Sequence, residues 1–421
     1  MKRLAIFILA VVALTSCSIY GKYKEEVTAE NEVKVMGYRE VFTDPQLQAL
    51  IDTALANNYD LKMSHEHVKQ AEATLLGAKL AYVPSIYAAP SVNYSNAGLS
   101  YGFAQASWEI DIFGRLTNRK RIAEAALKQS RDYEQAARSE LIAAVAQTYY
   151  TLLMLDAQIM TNDSAELYWS KSVETMKEMK EAAMTDEAAV AQFEGAYYST
   201  KANGSALRLS RVAAENSMRL LLSNGNAVIT RGKLRNQMPN ETLSTVNLQA
   251  LKSRPDVRAA EHQLEQAFYG VNLARANCCP NITLSGNIGL NGGFIFQAVG
   301  SLLQPIFNSG KNIMEVRISK SQLEEMQWGY ANALLKAGTE VNNALASKKY
   351  HALMTDDYVR QVQAMNRALD ATETKMHLGS GTYLEVLTAQ NDLLTAQLAL
   401  IQNQAALMQS QVDLFVALGG R

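Results

Sequence analysis

The sequence predicts a mainly helical chain with a small β part, built as two copies of one long-helix unit. Three observations carry this. Prolines fall at 45, 84, 90, 239, 255, 280 and 305 and leave two long tracts without a helix breaker, 91–238 and 306–421. Apolar residues in those tracts keep a 3.5-residue rhythm. Short alternating segments sit at matching places in the two halves.

The repeat is read from two offsets. Residues 60–86 overlay 256–282, aligning Asp60 with Asp256, Gln70 with Gln266, Ala78 with Ala274 and Pro84 with Pro280. A slightly shorter offset then aligns Ile112-Phe113 with Ile306-Phe307 and Gly225 with Gly419. The copies are assigned to 46–225 and 248–420, joined by a polar linker at 226–247 that holds Gly232 and Pro239. Each copy reads helix, two strands, long helix, turn, return helix.

Alternation defines the strands. Ile282, Leu284, Ile288 and Leu290 interleave with Asn281, Thr283, Ser285, Asn287 and Asn291, giving one apolar and one polar face; Ile86, Ala88, Val92 and Tyr94 repeat the pattern in the first copy. Strands are predicted over 84–95, 99–112, 281–291 and 293–306, with turns at Gly98 or at Gly292 and Gly293 making hairpins. Gly286 and Gly289 are read as relieving crowding in the sheet.

The long helices are predicted over 115–182 and 311–378, the first running about 100 Å at 1.5 Å per residue, with return helices over 187–224 and 382–418. Leu141, Val145, Thr148, Leu152, Leu155 and Ile159 form one seam; Leu384, Leu387, Asn391, Leu394, Leu398, Ile401, Ala405, Met408, Val412 and Phe415 form another. Such seams specify coiled-coil packing.

The N-terminus reads as an address. Lys2 and Arg3 precede the apolar run Leu4–Leu14, too short to span a bilayer, so 1–16 is a signal peptide. Leu14-Thr15-Ser16-Cys17 resembles a bacterial lipobox, which implies that Cys17 becomes an acylated N-terminus. Ser18 in place of Asp implies the outer membrane. Residues 17–45 are then a lipid-anchored extended segment. No later stretch has 18 consecutive apolar residues, so spanning falls to the strands. Four strands cannot close a membrane barrel, and open edges are costly in hydrocarbon; either several chains pool their hairpins or the sheet caps a soluble coiled coil with its apolar face covered by helices.

Composition excludes other classes. A net charge of -1 gives no reason to expect nucleic-acid binding, and 48% hydrophobic residues exclude disorder. Cys278 and Cys279 are adjacent and staple nothing. His65 and His67 point about 200° apart on a helix and share no metal; His262, His351 and His377 stand singly. Gly310-Lys311-Asn312 lacks the rest of a phosphate loop. No nucleophile and base cluster, so no enzyme, metal or cofactor is expected beyond the covalent lipid.

Five segments carry a resemblance: Trp108-Glu-Ile-Asp-Ile-Phe-Gly-Arg115, Arg254-Pro-Asp-Val-Arg-Ala-Ala-Glu261, Ser301-Leu-Leu-Gln-Pro-Ile-Phe307, Gly381-Thr-Tyr-Leu-Glu-Val-Leu-Thr-Ala-Gln390 and Val416-Ala-Leu-Gly-Gly420. Over 40–420 the chain resembles TolC-type outer-membrane efflux proteins, in their NodT-like lipoprotein branch, which serves resistance-nodulation-division pumps. The resemblance implies a homotrimer in which three chains contribute 12 strands to one outer-membrane barrel, with the helices forming a periplasmic coiled-coil tunnel. It implies a passive exit duct partnered by a periplasmic adaptor and an inner-membrane pump.

It also implies site residues. Adaptor-contacting tips map to Met184, Thr185 and Asp186 and to Leu378, Gly379, Ser380 and Gly381, the first tip lacking the usual glycine. Glu385 matches the acidic position lining the closed periplasmic entrance, opposite Ala191 in copy one; Glu194, opposite Thr388, is a weaker candidate for a second acidic ring. Three Glu385 carboxylates around one axis repel and attract cations. The alternative function is a non-pore periplasmic coiled-coil structural or adaptor lipoprotein.

Overall fold

The computed structural model describes residues 21–23, 37–95, 98–237, 251–290, 294–303 and 308–420. The leader, Cys17, linker residues 238–247, Gly292, Gly293 and the Pro305-Ile306-Phe307 segment lie outside the described residues. Besides a four-residue helix at Tyr38–Val41, where the sequence predicts an extended 17–45 segment, and a 3-10 turn at Leu234–Asn236, the elements are α1 (Pro45–Asn57), α2 (Tyr59–Leu80), β1 (Ser85–Ser95), β2 (Gly98–Ile110), α3 (Arg115–Glu181), α4 (Glu187–Leu221), α5 (Pro255–Ala276), β3 (Asn281–Leu290), β4 (Phe294–Leu303), α6 (Lys311–His377) and α7 (Tyr383–Ala417).

The chain divides into two compact units. One comprises Met63–Gln135 and Lys252–Lys336 with the N-terminal residues, and so contains the sheet and the adjoining helix ends. The other comprises Val33–Lys62, Ala136–Leu251 and Ala337–Arg421, and contains the helical hairpins.

The sheet is antiparallel in the order β1-β2-β3-β4. Residues opposite each other share a face. One face pairs Ile86 with Ala106, Val92 with Tyr101 and Tyr94 with Leu99, then Ala104 with Ile288, Trp108 with Leu284 and Ile110 with Ile282. The other pairs Ser85 with Ser107, Gln105 with Asn287 and Glu109 with Thr283. Tyr87, Val299 and Leu303 are apolar exceptions on this second face. Ile86, Val92, Tyr94, Leu99, Tyr101, Trp108, Leu284 and Ile288 are all exposed, so the chain's own helices do not cover the apolar face. Gly289 is required by close approach: a Cβ there would lie 2.4 Å from the Tyr101 carbonyl oxygen.

The corner from β2 into α3 explains the Trp108–Arg115 segment. Asp111 accepts from the amides of Leu116 (2.9 Å) and Thr117 (2.8 Å), capping the helix. Arg115 Nε donates to Glu109 (2.7 Å), and Trp108 Nε1 donates to the Tyr82 carbonyl (2.9 Å).

In the helical unit, Leu141, Val145, Leu152, Leu155 and Ile159 are buried along α3. The predicted α7 seam holds only in its second half, where Ala405, Met408, Val412 and Phe415 are buried. Toward the tip, Val386, Ala389, Leu393 and Ala396 are buried, while Leu384 is exposed. This helix carries two apolar stripes, and periodicity does not say which one meets the chain's own core. Buried Asn403 fixes the α6–α7 register, donating to the His351 carbonyl (2.9 Å) and to Thr355 Oγ1 (2.8 Å).

The repeat offset is corrected by backbone conformation. A constant 196 residues separates Arg115 from Lys311 and Glu187 from Tyr383, the starts of helices of identical length. The left-handed residues obey the same offset: Gly114 with Gly310, Ala183 with Gly379, Ser223 with Gly419. The pairing of Gly225 with Gly419 is therefore two residues out of step. Glu385 corresponds to Ala189 rather than Ala191, and Glu194 to Gln390 rather than Thr388. Side-chain matches misled because the conserved feature is a left-handed turn that Ala and Ser also fill here.

Since a Cβ is strained at positive φ, Ala183→Gly (φ 57 in the native chain) is expected to stabilise the fold by about 1 kcal/mol, and Gly379→Ala to destabilise it by about as much. Chemical unfolding of the two variants checks this; equal midpoints would contradict it.

Candidate functional site

The two helical hairpins end in tips of the same construction. In the first, Ala183 is left-handed, the Met184 amide donates to the Met179 carbonyl (2.8 Å), and Asp186 caps α4 by accepting from the Ala189 amide (2.9 Å). In the second, Gly379 is left-handed and the Ser380 amide donates to the Lys375 carbonyl (3.0 Å). The missing glycine thus leaves the first tip's geometry intact. Met184 and Leu378 project into solvent as large apolar groups.

Glu385 has a local role that its sequence context signalled but that the sequence reading missed. Thr382 Oγ1 accepts from the Glu385 amide (3.3 Å), and Glu385 Oε2 accepts from the Thr382 amide (3.4 Å). This is a capping box, written in the sequence as Thr-x-x-Glu before an apolar run. The carboxylate is exposed. Glu194 instead pairs with Lys177 across the first hairpin (2.7 Å), and that hydrogen bond raises the lysine's pKa. A second pair, Lys180 with Glu187, lies nearer the tip.

Both glutamates belong to segments that meet at one cluster. Trp169, Met176, Ala189, Val190 and Phe193 form a buried core, and Tyr383 and Leu387 of α7 pack against it. Nearby, Tyr168 OH donates to Glu373 Oε1 (2.8 Å), joining α3 to α6; burial, reinforced by that bond, pushes the tyrosine hydroxyl's pKa up. Neither contact is marked by spacing in the sequence, because each joins residues about 200 positions apart.

A second node lies in the same unit. Asp44 caps α1, accepts from Tyr149 OH (2.6 Å) and from Gln237 Nε2 (2.8 Å), and the Gly232 amide donates to Tyr149 OH (3.1 Å). It binds the N-terminal helix, α3 and the start of the linker together. His262 lies between Asp132 (3.3 Å) and Glu265 (3.3 Å), and His65 pairs with Glu134 (3.0 Å).

A unit with a sheet apolar on one exposed face and a unit of helical hairpins with capped tips are the two parts expected of an outer-membrane channel protein. The chain belongs to the outer membrane efflux protein family, whose model matches residues 50–224 and 248–420. It is 25% identical over 420 residues to the probable outer membrane lipoprotein SilC of Salmonella typhimurium, covering 93% of this chain and 89% of that protein. It is 28% identical over 433 residues to the toluene efflux pump outer membrane protein TtgC of Pseudomonas putida, covering 94% and 88%. The open-state MtrE outer membrane channel of Neisseria gonorrhoeae matches with a TM-score of 0.82 at 26% identity, covering 96% of this chain and 98% of that one.

Thr382→Ala removes the cap acceptor and is expected to cost about 1 kcal/mol, read as faster amide exchange over the first turn of α7. Glu385→Gln keeps the reach-back bond and is expected to leave exchange there unchanged. Equal exchange in both variants would contradict the capping role.

Proposed function

We propose that the protein is the exit duct of a tripartite efflux system: a homotrimer whose three sheets close one 12-stranded outer-membrane barrel. Its hairpins form a periplasmic tunnel that conducts small molecules passively from an inner-membrane pump through an adaptor. The observation that carries this reading is the exposed apolar face on a four-stranded sheet whose outer strands, β1 and β4, each leave one edge unpaired within it. Backbone groups on such edges cost several kcal/mol each in hydrocarbon, and sister chains supply the missing partners. A non-pore periplasmic lipoprotein leaves that face bare to water.

In this reading Met184, Thr185 and Asp186, with Leu378, Gly379, Ser380 and Gly381, form the adaptor-contacting rim, and exposed Met184 and Leu378 give it apolar purchase. Three Glu385 carboxylates form an acidic ring at the closed entrance. Glu194, paired with Lys177, contributes less charge. Cys17 carries the lipid. Asn272 Nδ2 donates to the Gly21 carbonyl (3.4 Å) and the Tyr23 ring packs on Phe268, so the chain just after Cys17 is fastened to α5. Four residues of chain allow Cys17 at most about 14 Å from Gly21.

Detergent-extracted, processed protein is expected to have the mass of three chains and to conduct ions in a planar bilayer. Exported Cys17→Ala is expected to stay membrane-inserted through its strands. Glu385→Gln, which preserves the cap, is expected to lower cation over anion conductance. A monomer that passes no current would refute the duct.

A further inference from the structure

In the unit that contains the sheet, α2, α3, α5 and the residues just after Gly21 line an open cavity of about 420 Å³, the size of a small-ligand site. Its charges do not cancel. Lys22, Arg121 and Lys128 line it together with Glu124 and Glu265, which leaves one positive charge. Both carboxylates are engaged, Glu265 with Lys128 (3.6 Å) and His262 (3.3 Å), and Glu124 with Lys120 (3.5 Å). Among the described residues no carboxylate pairs with Lys22 or Arg121. Arg121 instead rests on the buried Tyr269 ring, 5.3 Å from its centre, and the Tyr269 hydroxyl accepts from the Tyr23 amide (3.4 Å). A guanidinium held on an aromatic face, with its donors not taken up by a carboxylate, is a ready receptor for phosphate oxygens. Leu75 and Leu127, buried in one cluster, continue the wall with hydrocarbon.

The depth of the cavity suits the same ligand. Arg121 stands six residues into α3 and Tyr269 seven before the end of α5, so both lie about 10 Å along their helices from the strands. With the sheet in the membrane, the headgroup layer extends about 5–8 Å beyond the hydrocarbon. A long arginine side chain spans the difference.

We propose that this cavity binds the phosphodiester headgroup of a monoanionic phospholipid, with Arg121 and Lys22 on the phosphate and an acyl chain running along Leu75 and Leu127. This rests on the membrane reading of the sheet and adds a lipid class and the residues that select it. One net positive charge matches one phosphate. A glycerol-type head brings no cation of its own, whereas a choline head sets its ammonium beside Arg121 and Lys22. Lys22 comes five residues after Cys17, so the bound lipid also fastens the N-terminal segment to α3.

Native mass spectrometry of the full, lipidated protein in detergent tests this, with dioleoyl phosphatidylglycerol and dioleoyl phosphatidylcholine as probes. Phosphatidylglycerol is expected to bind one per chain and at least fivefold more tightly than phosphatidylcholine. Excess inorganic phosphate is expected to displace less than half of it; complete displacement identifies the ligand as a free anion and overturns the lipid. Arg121→Ala combined with Lys22→Ala is expected to weaken phosphatidylglycerol at least fivefold. Arg121→Lys, which keeps the charge, is expected to lose less than twofold, and Arg119→Ala, exposed on the same turn of α3 outside the cavity, to lose nothing. Equal binding of the two lipids, or an equal loss with Arg119→Ala, overturns the site. A conducting oligomer without Arg121-dependent lipid overturns the site and spares the duct. A monomer without current that still binds phosphatidylglycerol through Arg121 refutes the duct and supports the site.

Discussion

Unpaired backbone at the edges of a sheet is the constraint on which the rest of this structure depends. β2 and β3 are paired on both sides within the chain, while β1 and β4 each have one open edge in the sheet. Pro90 sits in β1 at a bulge, a position compatible with an edge because the ring removes a donor. In water an open edge is a hazard; in hydrocarbon it is prohibitive unless another strand closes it. The apolar face decides which solvent applies, because Ile86, Val92, Tyr94, Leu284 and Ile288 would otherwise expose a continuous greasy surface to water. Closure by copies answers both problems together.

In the proposed trimer the internal repeat supplies the means of closure. Helices of equal length recur at a fixed offset, with left-handed residues at each helix boundary. A chain built of two similar units already contains one junction between unlike copies, where β2 meets β3 and α3 meets α5. A ring of such chains needs that junction once more per subunit, between the second unit of one chain and the first of the next. The residues at the two junctions need not be alike, and they are not: polar Asp132 and Ser139 stand where Trp328 and Leu335 stand in the other unit. What is retained is backbone geometry, with the chemistry free to diverge as long as each side matches its own partner.

Much of this was legible in the sequence, for physical reasons that also mark where legibility ends. Proline-free tracts reveal long helices because a single proline costs about 3 kcal/mol in a helix interior. Alternation at Asn281–Leu290 reveals a strand because a pleat turns each residue to the opposite face. Periodicity is blind, however, to which of two apolar stripes is used within the chain. Leu384 and Val386 are both apolar, and only packing shows that Val386 is buried and Leu384 exposed. Residue identity also misplaced the repeat offset, since Ala183 and Ser223 adopt conformations usually left to glycine. At the tips, the Thr382–Glu385 box was readable locally, whereas the Trp169 cluster and the Tyr168–Glu373 bond join distant segments and appear only once the fold is in hand.

In the trimer proposed above, Glu385 serves structure and charge together. Its carboxylate completes the cap of α7 while remaining open to solvent, so neighbouring carboxylates can act on it without unfolding the helix end. The claim beneath all of this is that strangers' strands complete the sheet. Hydrogen exchange of the protein in lipid nanodiscs tests it most directly: backbone amides along the outer edges of β1 and β4 should be protected as strongly as those shared by β2 and β3. Rapid exchange confined to those two edges would mean that nothing closes them, and the account would fail.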